Sequence, residues 1–104
     1  MKYETSPAFE ADLRRLSAEE RRLFRDAVIA RFGPACDAQA TSPAARWPSQ
    51  LRVKAVRGAP GVLEMTWSFS GPDGRPTWEW RRLPSGEPCV RWRRVGGHAI
   101  FDRP

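Results

Sequence analysis

Apolar residues recur at helical spacing in the first third of the chain and at alternate positions in the last half. Residues 2–5 (Lys-Tyr-Glu-Thr) read as a short opening strand. Ser6-Pro7 then supplies an N-cap followed by a proline at the first helical position, where its missing N–H costs nothing. Phe9, Leu13 and Leu16 share one helical face. A second helix opens on Ser17-Ala18-Glu19-Glu20, a capping box, and carries Leu23, Phe24, Ala27, Val28 and Phe32 at helical intervals. Gly33-Pro34 is expected to end it. The two helices read as a hairpin. Residues 34–50, rich in Pro, Ala, Ser and Thr, have no clear period and suit either a loop or one short helix.

Period-two patterning begins after Leu51. Leu63, Met65, Trp67 and Phe69 alternate with Val62, Glu64, Thr66 and Ser68, and Gly71-Pro72-Asp73-Gly74 is a strong turn signal. A returning strand over about 75–82 places Trp78 and Trp80 opposite Arg75, Thr77, Glu79 and Arg81. After a second turn at 84–88, residues 89–95 set Val90 and Trp92 against Arg91 and Arg93, and Gly96-Gly97 breaks the strand. The pattern predicts a single α+β domain over 1–104, with an N-terminal strand and helical hairpin packed on one face of a mainly antiparallel sheet of about four to five strands. The helices would cover the face of Leu63, Met65, Trp67, Trp78, Trp80, Val90 and Trp92, so these tryptophans read as core. Lys54, Glu64, Thr66, Arg75, Thr77, Glu79, Arg91 and Arg93 would line the other face.

Charge sharpens that second face. The 104 residues carry a formal charge of +6. Residues 1–40 hold seven basic and seven acidic side chains, whereas residues 41–104 hold eleven basic and five acidic. All the excess therefore lies in the sheet half. Of the 18 Lys and Arg residues only Lys2 and Lys54 are Lys. A GC-rich coding sequence favours Arg, but it does not explain the uneven distribution. Arg presents a planar fork suited to phosphates and to stacking on bases. A basic face of this kind fits a polyanion, and it fits equally a salt-bridged solvated surface.

Other chemistry is sparse. Cys36 and Cys89 lie far apart without a CxxC motif, and His98 is the single histidine, so neither a structural zinc site nor a histidine-based triad is expected. No run of about 18 apolar residues is present, so no membrane span is expected, and the N-terminus lacks the apolar stretch of a signal peptide. These features suit a cytoplasmic protein. His98 could carry a proton near neutral pH.

Several ordered features together resemble the RelE/ParE superfamily of toxins, near its RelE/HigB branch. They are Ser6-Pro7-Ala8-Phe9, Asp12-Leu13-Arg14-Arg15-Leu16, Leu51-Arg52-Val53-Lys54, Gly61-Val62-Leu63-Glu64-Met65, Gly74-Arg75-Pro76-Thr77-Trp78 and Val95-Gly96-Gly97-His98-Ala99-Ile100-Phe101. The likeness spans nearly the whole chain and implies a RelE-like fold. It also implies ribosome-dependent mRNA cleavage by attack of a 2′-OH on the adjacent phosphate, without metal or cofactor. The matched positions assign Arg75 to the transition-state phosphate, His98 to acid–base work, and Lys54 and Glu64 to supporting roles. Arg52, Arg57, Arg91 and Arg93 would hold RNA. The implied partners are mRNA on the ribosome and a cognate antitoxin, acidic where it meets the basic face. The ParE-like branch, which inhibits gyrase without cutting RNA, shares the fold. A non-catalytic nucleic-acid-binding module is the reading from another class. Phe101 stands where many members carry a tyrosine, so no phenol hydroxyl is available there.

Overall fold

The computed structural model describes residues 1–42, 44–66 and 74–104, with the backbone alone at His98 and Ala99. Strand β1 (Lys2–Thr5) leads into α1 (Pro7–Arg15), whose Ser6 side chain accepts from the Phe9 N–H. Helix α2 (Ala18–Ala27) begins with the complete capping box, Ser17 and Glu20 each satisfying the other's backbone donor.

The helix does not end at Gly33-Pro34. A π-turn over Val28–Phe32 carries it into α3 (Gly33–Thr41), and the Gly33 N–H bonds to the Val28 carbonyl, five residues back. The wider turn shifts the register just where Pro34 has no N–H to offer, so the proline opens a new helical segment rather than stopping one. Gly33 is needed for a second reason: a Cβ there would lie 3.1 Å from the Tyr3 hydroxyl. Residues 45–48 carry no regular secondary structure, and a 3-10 turn follows at Ser49–Leu51.

Four further strands follow: β2 (Lys54–Ala55), β3 (Leu63–Glu64), β4 (Arg75–Arg82) and β5 (Pro88–Gly96). The sheet order is β1-β5-β4-β3-β2, with β1 parallel to β5 and the other pairs antiparallel. The expected strand over 62–69 is regular only at Leu63–Glu64 among the described residues. Its Trp67 to Phe69 part and the turn at 71–73 lie outside them. After Gly96 the chain enters a 3-10 turn, His98–Asp102.

The helix-covered face holds an aromatic core. Phe32 lies 4.9 Å from Trp92 and 5.0 Å from Trp78 (ring centroids), Phe24 meets the Trp92 ring edge-on at 5.2 Å, and Phe9 stacks on Trp92 at 5.9 Å. Trp47, half-buried, stacks on Phe32. Such pairs contribute about 0.5–1.5 kcal/mol each beyond their burial. Among the described residues no helix is long and apolar enough to cross a membrane.

Two expectations about the faces are corrected. Trp80, assigned to the core, is 36% exposed, because α3 ends beside it instead of over it. Glu64, Thr66 and Thr77, assigned to the solvated face, are buried. Part of that outer face is covered by later chain. The turn between β2 and β3 and the terminal 3-10 turn bury Val56, Val62 and Ile100 apart from the main core. Ile100 packs so closely on Gly96 that a Cβ there would sit 3.1 Å from it.

Candidate nucleic-acid interface

What remains open on the outer face is a concavity of ≈ 730 Å³ lined in part by Glu79, Arg91, Arg93, Arg94 and Arg103. Its shape depends on a local irregularity. Thr77 pairs with Arg94 but Trp78 pairs with Trp92, so Arg93 has no opposite number and forms a β-bulge in β5. The bulge lets Trp92 and Val95 both enter the core and leaves Arg93 and Arg94 side by side at the surface.

These arginines are held differently. Arg93 donates from Nε and Nη2 to the Pro104 carbonyl at 3.2 and 3.1 Å, and from Nη1 to Glu79 Oε2 at 3.3 Å. Arg94 grips Asp12 through Nε at 2.6 Å and Nη2 at 3.1 Å, while the Val95 N–H adds a third bond to that carboxylate at 3.1 Å. Burial alone would push the Asp12 carboxyl up. The Arg94 and Val95 bonds and the charges of Arg94 and Arg15 outweigh it and hold the group below its ordinary value. The same bond raises the Arg94 guanidinium. Arg94 is thus largely committed to docking α1 on the sheet. The Arg91 side chain makes no hydrogen bond or ion pair with a described residue and is available to a ligand.

Neither a family model nor a curated protein matches the sequence. A similar solved structure is a chain of the intact E. coli RelBE toxin-antitoxin complex. The two chains are 16% identical and superpose with a TM-score of 0.54 over 92% of this chain and 94% of that one. The fold is RelE-like.

Within this RelE-like fold the candidate residues separate into groups. Arg75 starts β4, half-buried and paired with Gly96, with Nη1 3.3 Å from the Gly74 carbonyl. His98 follows two residues after Gly96, so the His98 backbone and Arg75 belong to the same end of the β4–β5 ladder. Arg91 and Arg93 lie further along β5. Lys54 and Glu64 form a different group: they face each other across β2 and β3 with Nζ and Oε1 3.5 Å apart, and Glu64 is opposite Thr77. Three strand spacings, about 14 Å, separate β2 from β5, and Lys54 does not line the arginine concavity. Arg52 is exposed in the left-handed conformation (φ 48°) after the 3-10 turn. Arg57 is exposed in the turn between β2 and β3, whose Ala59 lines the concavity.

Two lining cations escaped the sequence reading, Arg94 and Arg103. The first had a visible signal: Arg93-Arg94 breaks the strict alternation of β5, as a bulge does. Arg103 follows a 3-10 turn with no periodicity to read. Among the described residues no cluster of three or more His, Cys, Asp or Glu could hold a metal ion, and both cysteines are buried and unpaired. Burial pushes the Cys36 thiol up to about 12, so it is no nucleophile.

Proposed function

We propose that this chain is the toxin of a toxin–antitoxin pair and cleaves mRNA on the ribosome. The observation that carries the reading is the arginine-lined concavity on the outer face of a RelE-like sheet. It adjoins the strand pair whose one end brings Arg75 beside the Gly96–His98 turn.

Cleavage by 2′-OH attack needs a group to accept the hydroxyl proton, cations for the crowded phosphate, and a proton for the departing 5′-oxygen. Arg75 supplies cationic donors to the phosphate. His98 is assigned the proton transfer. Arg91 and Arg93, with Arg57 in the β2–β3 turn and Arg52 ahead of β2, hold the RNA strand. Lys54 and Glu64 act from the β2–β3 edge of the sheet. An acidic segment of the antitoxin would silence the chain by occupying the same concavity.

Programmed ribosomes with a defined mRNA test the reading by primer extension. Wild-type protein is expected to cut in the decoding site, and Arg75→Ala or His98→Ala to slow cleavage by at least about a hundredfold while remaining folded. Undiminished cleavage in both variants overturns the assigned roles. Growth arrest with intact mRNA and inhibited supercoiling would assign the chain to gyrase inhibition instead.

A further inference from the structure

Lys54, Glu64 and Thr77 form one row across the outer face of the sheet. Lys54 is opposite Glu64 in the β2–β3 pair, and Glu64 is opposite Thr77 in the β3–β4 pair. Residues directly opposite on antiparallel strands have Cβ atoms about 4.5–5.5 Å apart, so the Glu64 side chain has a neighbour on each side. The two neighbours are used unequally. Lys54 Nζ lies 3.5 Å from Glu64 Oε1. Thr77 is 0% exposed, and its hydroxyl has no hydrogen-bond partner among the described residues. A buried hydroxyl without a partner forfeits the bond it made to water, and folded proteins keep few such groups.

The ion pair is lopsided as well. The Lys54 side chain is 69% exposed and that of Glu64 is 9%. An exposed ammonium exchanges one oxygen partner for another readily, as an arriving phosphate requires. The carboxylate cannot follow it into water. Loss of its cation would leave a buried charge uncompensated, and that cost would oppose any phosphate that draws Lys54 away. A donor in reserve removes the conflict. Thr77 is such a donor: it neighbours the carboxylate and gives its O–H to no described residue.

We propose that Thr77 is the alternate partner of Glu64, a positioning residue whose hydroxyl takes over the carboxylate when Lys54 turns to an RNA phosphate. The exchange is a change of side-chain rotamers and leaves the strand register as it is. It gives the two charged residues distinct tasks. Lys54 is the mobile cation, and Glu64 is where it rests in the free chain. The phosphate step rests on the reading of the outer face as an RNA surface, whereas the partnership of Thr77 with Glu64 is a property of the chain alone.

A thermal double-mutant cycle on the full chain tests the partnership without RNA. In the wild-type background Thr77→Val removes an idle hydroxyl at nearly constant shape and is expected to raise the melting temperature by a few degrees. In Lys54→Met, where the carboxylate has lost its cation, the same change is expected to lower it by a similar amount. Lys54→Ala repeats the cycle should the methionine variant fail to fold. Thr77→Ser keeps the hydroxyl and should lose equally in both backgrounds through its missing methyl. Equal shifts for Thr77→Val in the two backgrounds overturn the proposal.

Binding of a 5′-labelled uridine octamer, followed by fluorescence anisotropy across a salt series, tests the exchange. Lys54→Met is expected to reduce the salt slope by about 0.7, the value of one single-strand phosphate contact. Thr77→Val should show the same reduction, Thr77→Ser the wild-type slope, and the Lys54→Met/Thr77→Val double variant no further loss. A wild-type slope in Thr77→Val, or in Lys54→Met, overturns the exchange. Wild-type protein that binds no octamer at any salt fails the RNA reading itself, and the sign of the thermal cycle then decides the Thr77 assignment alone.

Discussion

The two faces of the sheet are built from the same strands by opposite means. On the helix side, five rings from α1, α2, the π-turn and strands β4 and β5 pack on one another, and their burial fixes the fold. On the outer side, charged side chains are held by hydrogen bonds to carbonyl and carboxylate oxygens, with that of Arg91 held by none among the described residues. Stability is thus concentrated on one face, and the other is left with cations whose solvation is cheap to exchange for a ligand. Substitutions should therefore sort by face.

The largest effect is expected at the centre of the core. Trp92→Ala removes the ring that touches Phe9, Phe24 and Phe32, and should cost about 3–5 kcal/mol in a denaturant titration, enough to unfold much of a small domain. A loss below about 1 kcal/mol would mean that the aromatic cluster is not what holds the layers together.

Next comes the charged contact that docks α1 on the sheet, the buried Asp12 carboxylate with Arg94. Asp12→Ala leaves a guanidinium without its partner and should cost about 3 kcal/mol. The pH dependence separates charge from packing. Because the folded Asp12 carboxyl is held below its unfolded value, its stabilisation is complete above the ordinary carboxylate range and disappears as pH falls through the depressed value. The stability gap between wild type and Asp12→Asn should then stay constant above about pH 5 and shrink below about pH 4. A gap independent of pH would show that the contribution is not electrostatic.

Smaller still, Ser17→Ala removes half of the α2 capping box and should lower stability by about 1 kcal/mol. Smallest of all is the expected cost of Arg91→Ala, within about 0.5 kcal/mol. The same change should nevertheless weaken RNA binding and reduce its salt slope by about one. A destabilisation as large as that of Ser17→Ala would erase the contrast between the faces.

Much of this arrangement is legible in the residues themselves, because its signals are local. The capping box marks the start of α2, and alternation identifies β4 and β5 and assigns Trp78, Val90 and Trp92 to the core. The RelE-like fold follows from those elements in that order. Other features depend on contacts between distant residues and leave no local trace. Gly33-Pro34 reads as a stop, yet the π-turn carries the helix through it while Tyr3 packs against Gly33. Thr77 and Glu64 alternate as surface residues, yet the terminal turn and the β2–β3 turn lie across part of their face. Trp80 has the spacing of a core residue, but whether a helix reaches far enough to cover it depends on where α3 ends. At the candidate site, Arg91 reaches the concavity by simple alternation, whereas the aim of Arg93 and Arg94 depends on the bulge.

The parallel pairing of β1 with β5 sets the order in which this molecule can be finished. Lys2 is opposite Cys89 and Thr5 opposite Trp92, and among the described residues β1 has no other neighbour in the sheet. During synthesis the first strand must wait, edge exposed, until nearly ninety residues have followed it, and the loop to be closed is almost the whole chain. The strand that ends this wait is the one that carries Arg91, Arg93 and Arg94. The sheet and its cationic surface are therefore completed in the same late event, so no partly made chain presents that surface on a finished fold.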